Sequence, residues 1–367
     1  MSNRKTMIAA LSAAVYATSV FSTADAARIP GLQSGPVELR SAGPIAFAGA
    51  GVLLAGDPKA ATVYAIDIGD APASAVDKLQ IADLGAALGT ALGVDPGAVS
   101  IADLAVNPET GNVVLSVTAD GKAALVRIGA DGSISPIDLG KIDHARKVLP
   151  NAPEDRITGE GRRARNLRDE SITDIAFFDG KVIVSGVTAG ASPAAVVEFP
   201  FPFAENTVVS NVEIYHAAHG RLEEPAIRTF VPFTIGGEPS LLAGFTCTPL
   251  VKFPIEQLRA GEKVRGTTVA ELGNRNRPID MFVYERDGKS YVLMNNTARG
   301  TMKISTQDIE ANPGLTEPVR GGGTAGQPFE TIEGWDSVRH MDKLDDGHAV
   351  IVREADGKLG LAVVGLP

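Results

Sequence analysis

Short apolar runs separated by glycine- and aspartate-rich turns fill the chain from residue 36 onward, and an acidic strand phrase punctuates them. The phrase reads Pro36-Val37-Glu38-Leu39, Ile81-Ala82-Asp83-Leu84, Pro136-Ile137-Asp138-Leu139, Asn211-Val212-Glu213-Ile214, Val269-Ala270-Glu271-Leu272 and Thr331-Ile332-Glu333-Gly334. Three apolar strand candidates stand between successive phrases. A unit of roughly 50 to 70 residues that cannot bury its apolar faces alone must stack on its copies, and small sheets stacked in a ring make a β-propeller.

Each copy reads as four strands, A to D. The third runs Ile172 to Phe178, a tight turn at Asp179-Gly180, Val182 to Ser185, Ala195 to Phe199 and Val208 to Ile214. The first runs Pro44 to Phe47, Val52 to Ala55, Thr62 to Ile66 and Lys78 to Leu84; the second Ile101 to Val106, Val113 to Val117, Ala124 to Ile128 and Ser133 to Leu139. The fourth runs Ile227 to Phe233, Ser240 to Ala243, Leu250 to Phe253 and Thr267 to Leu272; the fifth Ile279 to Tyr284, Ser290 to Met294, Thr301 to Ile304 and Phe329 to Ile332. The sixth supplies Ser337 to Met341, His348 to Arg353 and Leu359 to Val364 and has no fourth strand.

The unattached phrase Val37 to Leu39 is expected to fill that place, because a closed ring leaves no exposed edge. The prediction is an all-β, six-bladed propeller, with seven blades as the rival count, since the stretch between copies two and three has room for further strands. The pattern resembles the six-bladed propellers of the NHL and gluconolactonase-like type, and Val63-Tyr64-Ala65-Ile66-Asp67 is similar to their third strands. That resemblance implies architecture. Gluconolactonase-like enzymes hold calcium with a Glu, Asn and Asp set, and no register here matches those residues one by one.

Composition narrows the setting. Arg4 and Lys5, an apolar run from Met7 to Phe21 and Ala24-Asp25-Ala26 read as a cleaved export signal over residues 1–26, which leaves 27–367 as one domain in the periplasm or outside the cell. No later segment is apolar enough to span a membrane. A net charge of −10 argues against nucleic acid. Cys247 is the only cysteine, so no internal disulfide exists. The expected partners are a small molecule or an envelope protein, with the chain itself a monomer.

In an antiparallel meander the D-to-A and B-to-C connections share one face, and the longest and most polar ones lie there. His216 and His219, followed by Glu223 and Glu224, occupy one such connection and Cys247 the next blade's loop, a nitrogen and sulfur set suited to zinc or copper. Asp103, Asp174 and Asp280 repeat at one inner-strand position, with Asp336 one residue out of register in copy six. They are candidate catalytic carboxylates, or calcium ligands, or acceptors for backbone N–H groups of the neighbouring blade. Asn274, Arg275, Asn276, Arg277, Asn295, Asn296 and Arg299 offer donors for an oxygen-rich or anionic ligand, or shape and solvate their loops; Trp335 can stack on such a ligand or fill the channel mouth.

Residues 141–171 carry Arg156, Arg162, Arg163, Arg165 and Arg168 and read as a basic insertion over the same face. No phosphate-binding glycine loop, haem-attachment motif or nucleophile elbow is present. The leading expectation is a channel-mouth ligand site with a divalent metal (Ca, Zn or Cu), of the kind a metal-dependent hydrolase or lactonase uses. A non-catalytic envelope scaffold and a copper-type redox or metal-binding propeller are the alternatives.

Overall fold

The computed structural model describes residues 29–49, 51–70, 79–161 and 164–367. The export-signal segment and Arg162 and Arg163 lie outside the described residues. Six antiparallel sheets form the blades of a propeller.

Blades 2 to 5 each follow the chain. Blade 2 is Val99–Val106, Val113–Ala119, Lys122–Ile128 and Ile134–Pro136, and blade 3 is Asp174–Phe178, Lys181–Val187, Ala194–Pro200 and Val208–His216. Blade 4 is Ile227–Ile235, Glu238–Phe245, Pro249–Pro254 and Thr267–Glu271, and blade 5 is Pro278–Arg286, Lys289–Asn296, Met302–Ser305 and Phe329–Thr331. The middle strands are buried along both faces, because every blade is covered by two others.

Blades 1 and 6 depart from the expectation. Blade 6 holds Val338–Lys343, His348–Ala355 and Lys358–Gly365, and its outer place is taken by Gln80–Ile81, which pairs with Ala362 and Leu361. Val37 to Leu39 therefore does not close the ring. Instead Val37 N–H donates to Leu139 O (2.9 Å), and the neighbouring Gln33–Gly35 lies along Ile142–Val148.

Ile142–Val148 is itself the outer strand of blade 1, beside Thr62–Asp67, Val52–Asp57 and Ile45–Ala48. The first part of the basic insertion is thus sheet. The phrase around Asp83 also ends differently: the strand stops at Ile81, and the Asp83 carboxylate caps the helix Leu84–Leu92 by accepting Ala86 N–H (3.0 Å).

Contacts between inner strands set the spatial order 1-3-4-5-6-2. The chain lays three strands of blade 1, completes blade 6, builds blade 2, and returns to finish blade 1 before entering blade 3. Apolar clusters seal the junctions: Leu54 and Val63 of blade 1 pack with Ile175 and Val184 of blade 3, while Tyr64 and Ile66 pack with Val114 and Leu125 of blade 2. No helix among the described residues is long and apolar enough to cross a membrane.

Candidate metal centre

His216 ends the outer strand of blade 3. The chain then turns tightly, with His219 N–H (3.0 Å) and Gly220 N–H (2.8 Å) both donating to His216 O, and Gly220 at φ 66° reverses it. The returning strand Arg221–Glu223 pairs back on Tyr215 and His216. One turn brings the two imidazoles together, with ring centroids 3.9 Å apart, and sets Glu223 beside both.

Glu223 Oε2 lies 2.8 Å from His216 Nδ1 and 2.9 Å from His219 Nδ1, and Arg221 Nε donates to Oε1 (2.6 Å). Burial opposes ionisation of Glu223, but these bonds outweigh it and hold its pKa down to about 2. Burial lowers the pKa of His216 despite the carboxylate, which favours the neutral imidazole that a metal needs. Its Nε2 is buried with no hydrogen-bond partner.

Cys247 arrives from the B-to-C loop of blade 4. It and Thr248 both adopt left-handed backbone conformations (φ 68° and 59°), unfavourable for residues with a Cβ. Cys247 N–H donates to Asn276 O (2.7 Å) and Thr248 Oγ1 to Gly273 O (2.5 Å), which pins the strained pair. His216, His219 and Cys247 each offer a ligand atom within 4.8 Å of the others. Glu224, adjacent in sequence, turns instead to Lys263 Nζ (2.5 Å).

Sequence reasoning passed over Glu271 at this place. It is fully buried on the outer strand of blade 4; Oε2 accepts Ala218 N–H (3.1 Å), Oε1 has no partner, and burial pushes its pKa up to about 7. It supports the turn that carries both histidines. Its signal was present as the acid of a repeated strand phrase, but nothing in the sequence says that it faces the preceding blade's loop.

The inner-strand aspartates accept amides across blade junctions. Asp103 Oδ2 takes Ile45 N–H (2.7 Å), Asp174 Oδ2 takes Phe230 N–H (2.8 Å) and Asp280 Oδ2 takes Met341 N–H (2.8 Å). They alternate around the ring, on blades 2, 3 and 5, with Pro44, Thr229 and His340 at the facing positions of blades 1, 4 and 6. His340, and not Asp336, holds the repeated position in the last blade. Asp342, two residues on, adds a fourth such bond to Val106 N–H (2.8 Å).

Most of the amide and arginine set is engaged in shaping loops. Asn295 Oδ1 accepts Asp280 N–H (2.7 Å), Asn296 Nδ2 donates to Met294 and Gly300 carbonyls, and Asn276 Oδ1 accepts Ala298 N–H (3.1 Å). Arg299 donates to Asn274 O, and Arg275 takes a left-handed turn conformation (φ 56°). Arg277 lies at the channel mouth, on a cavity of about 350 Å³ floored by Asp103, Asp174 and Asp280. Trp335 is buried between blades 5 and 6, where it lines a separate cavity of about 180 Å³ beside Ile81.

No family model matches the chain, and no curated protein does. Among solved structures it is similar to extracellular domains 1–2 of Drosophila semaphorin 1b (11% identity, 92% of this chain and 87% of that chain, TM-score 0.40). It is also similar to a 6-phosphogluconolactonase-like protein from Bacteroides uniformis (11%, 92% and 79%, 0.31) and to an engineered GH43 glycoside hydrolase (12%, 74% and 51%, 0.42). With identities of 12% or less and TM-scores of 0.42 or less, these likenesses carry no argument about this chain.

Proposed function

We propose that this propeller is an exported metal-binding protein whose His216, His219 and Cys247 hold one zinc or copper ion. The observation that carries the reading is the shared carboxylate: Glu223 occupies Nδ1 of both histidines, which leaves each Nε2 as the nitrogen available to a metal. Ligating histidines characteristically present their other ring nitrogen to such a carboxylate. Two imidazoles and a thiolate suit zinc and copper over calcium or magnesium.

His219 is exposed and Cys247 half-buried, so an ion here would be reachable from solvent. The chemistry such an ion would supply is Lewis acidity for zinc or electron transfer for copper; Glu223 orients both imidazoles through Nδ1, and the bond from Cys247 N–H to Asn276 O pins the backbone that carries the thiol. A small oxygen-rich or anionic ligand, and with it hydrolase or lactonase chemistry, would enter at the cavity by Arg277. It ranks second, because most donors in that region are already bonded to the chain's own backbone.

Chelator-stripped protein titrated anaerobically with Zn²⁺ and with Cu⁺ or Cu²⁺ tests the reading. One equivalent should bind at this centre, and that equivalent should be lost in His216→Ala and in Cys247→Ser. No stoichiometric metal in the unmodified chain would overturn it.

A further inference from the structure

A second cluster of ligand type sits at the waist of the central channel. His340 comes from blade 6, and Asp280 and Asp103 from blades 5 and 2 on either side of it, so three consecutive blades contribute one group each. His340 Nδ1 lies 3.2 Å from Asp280 Oδ2 and 3.8 Å from Asp103 Oδ1. A divalent ion bound at about 2.1 Å to three such atoms needs them roughly 3 to 3.5 Å apart, so small adjustments would suffice.

The imidazole is the informative member. His340 is 9% exposed, yet its Nδ1 has no hydrogen-bond partner among these contacts, which means that the carboxylates approach it off the N–H direction. The carboxylates themselves are held from behind: Asp103 accepts the Ile45 and Leu104 amides, and Asp280 accepts the Met341 amide. Fixed acids converging on a buried ring nitrogen that bonds to neither make a ligand arrangement.

We propose that Asp103, Asp280 and His340 form a second metal site, independent of the His216 centre, for a divalent first-row cation such as Mn²⁺. Two carboxylates and one imidazole favour a harder ion than the sulfur-containing centre does. Asp103 and Asp280 line both the mouth cavity of about 350 Å³ and the cavity of about 560 Å³ that opens toward the opposite face. A cation here would therefore keep coordination positions open to small oxygen ligands, water or a carboxylate, arriving along the channel.

The test uses Mn²⁺ alone on the chelator-stripped full chain, read by loss of the free-ion electron paramagnetic resonance signal. One equivalent should bind in the unmodified protein and equally in a His216→Ala/Cys247→Ser variant. Asp280→Asn and His340→Gln, each checked for native circular dichroism, should bind at least tenfold more weakly. Mn²⁺ should also broaden the amide resonances of Ile45 and Met341 in the unmodified chain while sparing Ala218, a readout independent of any variant's folding. Absence of saturable Mn²⁺ binding, unchanged affinity in both channel variants, or broadening confined to Ala218 would each overturn the proposal.

Discussion

Asp174 of blade 3 accepts the backbone N–H of Phe230 in blade 4 at 2.8 Å, beside the apolar cluster that packs these two blades together. The same carboxylate accepts Ile175 N–H (2.8 Å) through its other oxygen. Asp174→Ala leaves both donors without their acceptor and should destabilise the fold by about 1–3 kcal/mol, measured by urea unfolding. Asp174→Asn keeps one acceptor oxygen and should cost less.

The pH dependence of that junction has a definite sign. Burial pushes the pKa of Asp174, and likewise of Asp342, up to about 7, so the folded state binds protons that the unfolded state has released above pH 4. Stability should therefore fall as pH rises from about 4 to about 7 at these groups. Asp174→Asn should flatten the unfolding free energy over that window; an unchanged slope would argue against it.

Closure through the segment after blade 1 is open to direct test. Gln80 faces Ala362 in the register of blade 6, so a Gln80→Cys/Ala362→Cys pair in a Cys247→Ser background should oxidise to a disulfide. The link should add about 2–4 kcal/mol of stability. Failure to cross-link under oxidising conditions would contradict the pairing.

At the His216 centre the shared carboxylate should matter almost as much as the ligands. Glu223→Gln is expected to weaken zinc or copper binding by about 10–100-fold while leaving the fold intact, measured by competition with a chromophoric chelator. Wild-type affinity in this variant would mean that Glu223 does not orient the imidazoles.

The strands of blades 2 to 5 were legible because each copy repeats the same apolar spacing, and a strand buried on both faces has little freedom in composition. The outer places of blades 1 and 6 were misread. Lys78 to Leu84 follows blade 1 in sequence and looks like its fourth strand, yet Gln80–Ile81 serves blade 6 and Ile142–Val148 serves blade 1. Outer strands make few side-chain demands, so their sequences do not say which sheet they join.

His216, His219 and Cys247 could be grouped from strand order alone, since that order puts their loops on one face. What folding added was the hairpin that delivers Glu223 to both imidazoles, and Glu271 beneath their turn. Trp335 went the other way, to a blade junction, because an indole stabilises the chain more against Phe282 and Met341 than in water.

By itself the sequence determined the propeller architecture, the run of strands within most blades and the face on which the polar loops gather, all of which follow from local periodicity, while the structure decided six blades over seven. Only the tertiary structure decided the exchange of outer strands between blades 1 and 6 and the meeting of His340 with Asp103 and Asp280. Those depend on which blades become neighbours, and neighbours in a closed ring are chosen by packing across junctions between residues far apart in the chain.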